Sequence, residues 1–250
     1  MAGTYISVPG SGRVDLAVYG KGTVIAGSGN DNILISGKGQ MVVGTGHDTL
    51  SLPSGGVISQ LGSAGRDTIN LGVGTTTITE AGHATVSGAT YSGDPYNSPF
   101  GSATLFGGEL KMTDSHGTAI ETALSGKATL IGSAAPTEFV GGTGSTSMVG
   151  GTGSDTFVGG SGHDTMVAGS GTDFFEFTKA NAGGTHLIKD FVSGQDQLYL
   201  EGHTLNYLNS HNDVTTHGGN TYISLDGGKT TIELQGVTNL KASDITTIKH

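Results

Sequence analysis

The chain has 250 residues, with 11 basic against 21 acidic side chains for a net charge of -10, 46 glycines and no cysteine. An acidic balance of this size argues against nucleic acid and anionic membrane surfaces as partners, and the missing cysteines remove disulfides, thiolate metal sites and cysteine nucleophiles together. No apolar run approaches the ~20 residues of a spanning helix, and the N-terminal stretch lacks a basic region followed by an apolar core, so it does not read as a cleavable secretory signal.

Residues 1–19 alternate apolar and small polar positions, as in TYISV and RVDLAVY, which predicts two strands that start a sheet or cap a solenoid. Val14, Leu16 and Val18 fall on one face of the second. Over residues 20–87 a nine-residue pattern appears in worn form. AGSGNDNIL (Ala26–Leu34) and VGTGHDTLS (Val43–Ser51) keep a G-x-G-x-D-x-U core, with U a large apolar residue, while GSAGRDTIN (Gly62–Asn70) keeps one central glycine. Gly44 and Gly46 turn the chain ahead of Asp48. Asp31, Asp48 and Asp67 lie 17 and 19 residues apart, close to two repeats, so they are expected to stack on one edge. The half-turns between them (GKGQMVV, SGGVIS and GVGTTTIT) have no aspartate at the matching place. Calcium is therefore expected along that edge only, between Asp31 and Asp48 and between Asp48 and Asp67. Ion-free Asx turns are the alternative.

Residues 75–87, TTTITEAGHATVS, continue the strand-turn rhythm without acids in the turns. A threonine row of this kind suits ice or polysaccharide, or is simply a β-favouring exposed face. Residues 88–140 are the least regular part. YSGDPYNSPFG, with two prolines and an aromatic cluster, reads as a loop, and ATLFGG and ATLIGS echo each other after it. The stretch reads as degenerate solenoid, with an inserted small domain as the alternative.

Residues 141–176 divide every nine residues into GGTGSTSMV, GGTGSDTFV, GGSGHDTMV and AGSGTDFFE. Gly150–Val158 and Gly159–Val167 fit G-G-x-G-x-D-x-U-x at every specified position, whereas Thr146 replaces the aspartate of the first unit and Ala168 a glycine of the last. Glycines at these positions let the backbone turn tightly so that its carbonyls converge. The aspartate adds a hard carboxylate oxygen, and the apolar eighth residue (Met148, Phe157, Met166 or Phe175) points inward from a short strand. Calcium takes about six to eight oxygen ligands. One turn cannot supply them, but two stacked turns can. A flexible glycine-rich linker keeps no apolar residue in register.

The nonapeptides resemble closely the RTX calcium-binding repeats, and the resemblance implies an all-β parallel β-roll, or β-solenoid, with two nonapeptides per coil. Asp155 is then expected above Asp173, and Asp164 facing the coil that carries Thr146. The family pattern places ligands at two carbonyls from each of two turns plus both aspartates. For the best-formed site this implies Gly150, Thr152 and Asp155 with Gly169, Gly171 and Asp173; Gly160 and Gly162 serve the turn of Asp164. Stacked carboxylates roughly 5 Å apart repel by about 3 kcal/mol at an effective dielectric near 20. Folding coupled to calcium is therefore expected.

Residues 177–250 resemble the C-terminal cap of many RTX proteins. The matching positions are Ile188, Asp190, Phe191, Gly194, Asp196, Leu198 and Leu200, then Ile232, Leu234, Gly236, Val237, Leu240 and Asp244. A solenoid needs such a cap because its last coil otherwise exposes a strand edge and an open core. In the family this end also carries an uncleaved signal for type I export, which agrees with the N-terminal reading and implies an extracellular or cell-surface location. Asp190 and Asp196 either complete a calcium site under the last coil or are ordinary turn residues.

Neither H-E-x-x-H nor G-x-S-x-G occurs in the chain, so the usual zinc-protease and lipase signatures are absent. His47 and His163 hold the variable fifth repeat position and are expected to face solvent. His203, His211 and His217 lie in a polar stretch that offers a transition-metal site or, more simply, scattered solvated imidazoles. The expectation is a secreted, non-catalytic calcium-binding protein that associates with copies of itself in a matrix, surface layer or fibre. The alternatives are a module that binds polysaccharide, ice or a cell surface, and the secretion and folding module of an RTX enzyme.

Overall fold

The apolar residue that closes each repeat sits in a short strand, and the glycines and aspartate ahead of it form the turn. A computed structural model of the chain describes residues 3–54, 56–60, 66–71, 75–79, 83–87, 101–106, 109–113, 119–123, 127–132, 134 and 136–246. The fold is the all-β parallel β-solenoid expected from the repeats, and it divides into two units, Met1–Thr129 and Leu130–His250.

In the first unit the strands alternate between two parallel rows. One row holds β1 (Thr4–Val8), β3 (Gly22–Ala26), β5 (Gly39–Val43), β7 (Gly56–Gln60), β9 (Thr75–Thr79), β11 (Gly101–Phe106) and β13 (Ala119–Ala123). The other holds β2 (Asp15–Val18), β4 (Asn32–Ile35), β6 (Thr49–Leu52), β8 (Arg66–Leu71), β10 (His83–Ser87) and β12 (Glu109–Thr113). Register places Val24 on Met41 and Met41 on Ile58, and Ile33 on Leu50 and Leu50 on Ile69. All six are buried, so each turn repeats the apolar wall of the turn before it. The aromatic loop expected over Tyr91–Phe100 lies outside the described residues.

In the second unit one row comprises β15 (Thr137–Val140), β17 (Thr156–Val158), β19 (Phe174–Phe177), β21 (Gln197–Leu200) and β25 (Ile245–Thr246). The facing row starts at β14 (Lys127–Ile131), on which the division falls, and continues through β16 (Ser145–Gly151), β18 (His163–Gly169) and β20 (Thr185–Lys189). Phe139, Phe157 and Phe175 stack with ring centroids 5.0 and 4.8 Å apart. Burial of each ring is worth about 1.5–3 kcal/mol, and each stacked pair adds about 0.5–1.5 kcal/mol. Met148, Met166 and Ile188 line up opposite them in register and are equally buried.

The coil ends by changing strand direction. β24 (Thr230–Leu234) pairs in parallel with β20, but β23 (Asn220–Leu225) and β22 (Val214–His217) then add antiparallel. Along the chain between β21 and β22 a six-residue helix, α1 (Leu205–Ser210), starts at Thr204, whose side chain accepts from the Tyr207 amide. Asp244 is fully buried and accepts from the amides of Gly194 and Lys241, which fixes the chain end against the last turn.

Candidate functional site

Each repeat aspartate stands just before a strand or, for Asp67 and Asp164, at its second residue, and one of its oxygens is used in the same way throughout. The Oδ1 atom accepts from the amide of the equivalent residue one coil earlier. Asp31 accepts from Val14 at 2.9 Å, Asp48 from Asp31 at 2.8 Å and Asp67 from Asp48 at 3.0 Å. In the second unit Asp155 accepts from Thr137 at 2.8 Å, Asp173 from Asp155 at 2.8 Å and Asp196 from Asp173 at 3.0 Å. The predicted stacking of Asp31, Asp48 and Asp67 on one edge, and of Asp155 over Asp173, is thus realised.

Anchoring Oδ1 leaves Oδ2 to point into the coil. The Oδ2 atoms of Asp31, Asp48 and Asp173 are buried and have no hydrogen-bond partner. An isolated buried carboxylate oxygen is costly in any protein interior unless a cation or donor meets it. These carboxylates and the turn carbonyls stacked between coils are hard oxygen donors, which suit calcium and not a softer ion. These residues therefore fit calcium. Among the described residues no three histidine, aspartate or glutamate side chains gather into a cluster, so a calcium ion held here would need turn carbonyls beside the carboxylates, as the repeat pattern implies.

The glycines form the cradle. Gly44 and Gly46 stack on Gly27 and Gly29, Gly160 and Gly162 on Gly142 and Gly144, and Gly169 and Gly171 on Gly151 and Gly153. A Cβ at any of these six would run into the carbonyl oxygen of the glycine below it. Gly150 sits beside the site carboxylate itself, where a Cβ would lie 2.7 Å from Asp155 Oδ2. Gly169 adds a backbone reason, with φ at +94°, a conformation that side chains disfavour. Thr152 is exposed on its turn. The Gly171 carbonyl accepts from Gln195 Nε2, so the last turn already supplies one donor to it.

Crowded carboxylates resist ionisation. Burial pushes Asp173 up to about 7, with the neighbouring charges of Asp196 and Asp155 adding to the shift and the Asp155 amide opposing it. Burial likewise raises Asp48 to about 6, again helped by Asp67 and Asp31 and opposed by the Asp31 amide. Asp196 is raised by burial too, but the amides of Val192 and Asp173 both donate to it and oppose the shift. Its two oxygens are therefore both met by the main chain, and it closes the row. Asp190, its fellow candidate, is exposed at φ 60° in a turn and makes no such contact with the row.

The opposite edge of the second unit differs. Register sets Thr146, Asp164 and His186 in line. Asp164 Oδ1 accepts from the Thr146 amide at 3.3 Å, as predicted from the coil spacing, but its Oδ2 lies 3.0 Å from His186 Nδ1. His186 was not among the candidates from sequence. The available signal was the GGTH segment at residues 183–186, where Gly184 stacks on Gly162 two residues before the key position. His47 and His163 are exposed, as expected. His211 stacks on Tyr207 and His217 on Tyr222, and with His203 they form no metal-holding trio.

Stacked glycine turns, inward carboxylates and parallel strands together define a calcium-binding repeat solenoid. Residues 140–175 match the family model of the RTX calcium-binding nonapeptide repeat, in four copies. Residues 140–175 thus carry calcium-binding repeats of the RTX type, and no helix of the described residues is long and apolar enough to cross a membrane. No curated protein matches the sequence.

Proposed function

We propose that this chain is an extracellular, non-catalytic structural protein that folds when it meets calcium and then associates with copies of itself. Calcium-triggered folding is supported by the unpartnered Oδ2 atoms of Asp31, Asp48 and Asp173, which oppose the fold until a cation joins them. Extracellular calcium near millimolar and the ~0.1–1 mM affinity of extracellular modules let such a chain stay unfolded inside the cell and fold after export. The C-terminal resemblance to RTX caps supports the type I route.

Self-association is supported by the first coil. Among the described residues β1 is the last strand of its row and pairs with β3, and the strand is exposed along most of its length. Tyr5 and Val8 on it, and Tyr19 just beyond β2, are exposed by 66%, 39% and 83%. An open strand edge flanked by exposed aromatic and aliphatic side chains is a template for adding another chain. Deletion of residues 1–19 is expected to abolish ordered assembly in millimolar calcium, viewed by negative-stain electron microscopy, while calcium binding by equilibrium dialysis persists. Filaments or sheets from the truncated chain would remove the first coil as the docking surface. Discrete particles from the intact chain, with and without chelator, would remove self-association altogether.

A further inference from the structure

Asp164 and His186 hold equivalent positions in consecutive coils, so a histidine stands where the ladder calls for an aspartate. It is fully buried. The Phe177 ring packs against it at a centroid distance of 5.0 Å. Its Nδ1 lies 3.0 Å from Asp164 Oδ2 and its Nε2 lies 2.9 Å from the Gly183 carbonyl oxygen. A carbonyl only accepts, so Nε2 carries a hydrogen. The contact between Nδ1 and Oδ2 needs a second hydrogen, whichever of the two atoms holds it. In both arrangements Asp164 and His186 together carry no net charge.

The oxygen that His186 satisfies is the one that matters for metal. Oδ2 is left without a partner in Asp31, Asp48 and Asp173, whereas in Asp164 it is met by the imidazole. The same ring also takes up a main-chain carbonyl from the turn of the next coil. One carboxylate and one turn carbonyl are the two kinds of ligand that calcium joins in a repeat of this type. We infer that His186 is a side-chain stand-in for calcium: it plugs the Asp164 edge, bridges two coils without metal, and confines calcium in the second unit to the Asp155–Asp173 edge.

This rests on the chain binding calcium at all, and the two ideas fail differently. The full chain is compared with H186D and H186N by equilibrium dialysis against calcium, with circular dichroism of the same samples to establish folding. Asparagine and aspartate each offer an oxygen to the metal and each remove the imidazole from Asp164 Oδ2, aspartate leaving no donor in its place. Expected is one more calcium bound per chain in the folded variants than in the parent. A folded variant that binds the same number as the parent overturns the plug. So does failure of both variants to fold at saturating calcium, because a plug that mimics the ion must be replaceable by it. A parent that binds no calcium sinks the underlying calcium reading instead.

Discussion

Replacing Asp173 with alanine is expected to raise the calcium concentration at which circular dichroism detects β-structure by at least about tenfold. Two losses act together at this one position. The Asp155 amide donates to Asp173 Oδ1 inside the coil, and an orphaned buried donor costs about 1–3 kcal/mol. The site also loses one of its two carboxylates, and ligand charge sets calcium affinity in oxygen sites. Since about 1.4 kcal/mol is a factor of ten in an equilibrium constant, the middle of the donor range alone reaches that shift, before the lost ligand is counted. Asp155→Ala is expected to move the titration the same way through the Thr137 amide. Unchanged titrations for both variants would reject these residues as ligands.

The second large effect is on pH. Asp173 is pushed up to about 7 and Asp48 to about 6 when no cation faces them, chiefly by burial. A carboxylate raised above its unfolded value holds more protons in the folded chain. In chelator, stability is therefore expected to fall as pH rises from about 4 to about 7 and to level off above that. With calcium the sign of the demand reverses, because the ion must displace those protons. Below pH 7 the apparent calcium affinity of the folded chain is expected to fall as pH drops, by up to about tenfold per unit for each proton displaced. Between pH 7 and pH 5, Asp173 alone accounts for about fiftyfold. Calcium titrations at pH 5, 6, 7 and 8 read this directly, and a midpoint independent of pH would show that the raised carboxylates are not ligands.

The parts of this site that could be read from sequence are those that repeat. Asp155 and Asp173 are 18 residues apart, and Asp31, Asp48 and Asp67 follow at 17 and 19, so spacing alone stacks them. The inward residues Met148, Phe157, Met166 and Phe175 recur every nine positions and are all fully buried. His186 breaks both cues. It follows Asp164 by 22 residues, four more than the repeat predicts, and its side chain is not the one the pattern leads a reader to seek. Asp196 lies 23 residues after Asp173 and escapes the period in the same way, which is why it could not be separated from Asp190 by sequence. The antiparallel turn of β22 and β23 depends on strand pairing over distance, and α1 sits in a polar stretch with little apolar periodicity to announce it.

The carboxylate rows described above also have a direction. Every amide in them looks forward for its acceptor: Val14 to Asp31, Asp31 to Asp48 and Asp48 to Asp67, then Thr137 to Asp155, Asp155 to Asp173 and Asp173 to Asp196. A coil therefore cannot complete its own hydrogen bonding until the coil after it is in place. Removing a row's first member merely frees a carboxylate oxygen, which water can satisfy at an exposed end. Removing its last member strands a donor within the stack. Each row is in this sense a polar filament of amides and carboxylates, finished at Asp196 in the second unit. Order propagates along it most favourably from the C-terminal coil backward, with each new coil laid onto an acceptor already waiting for it.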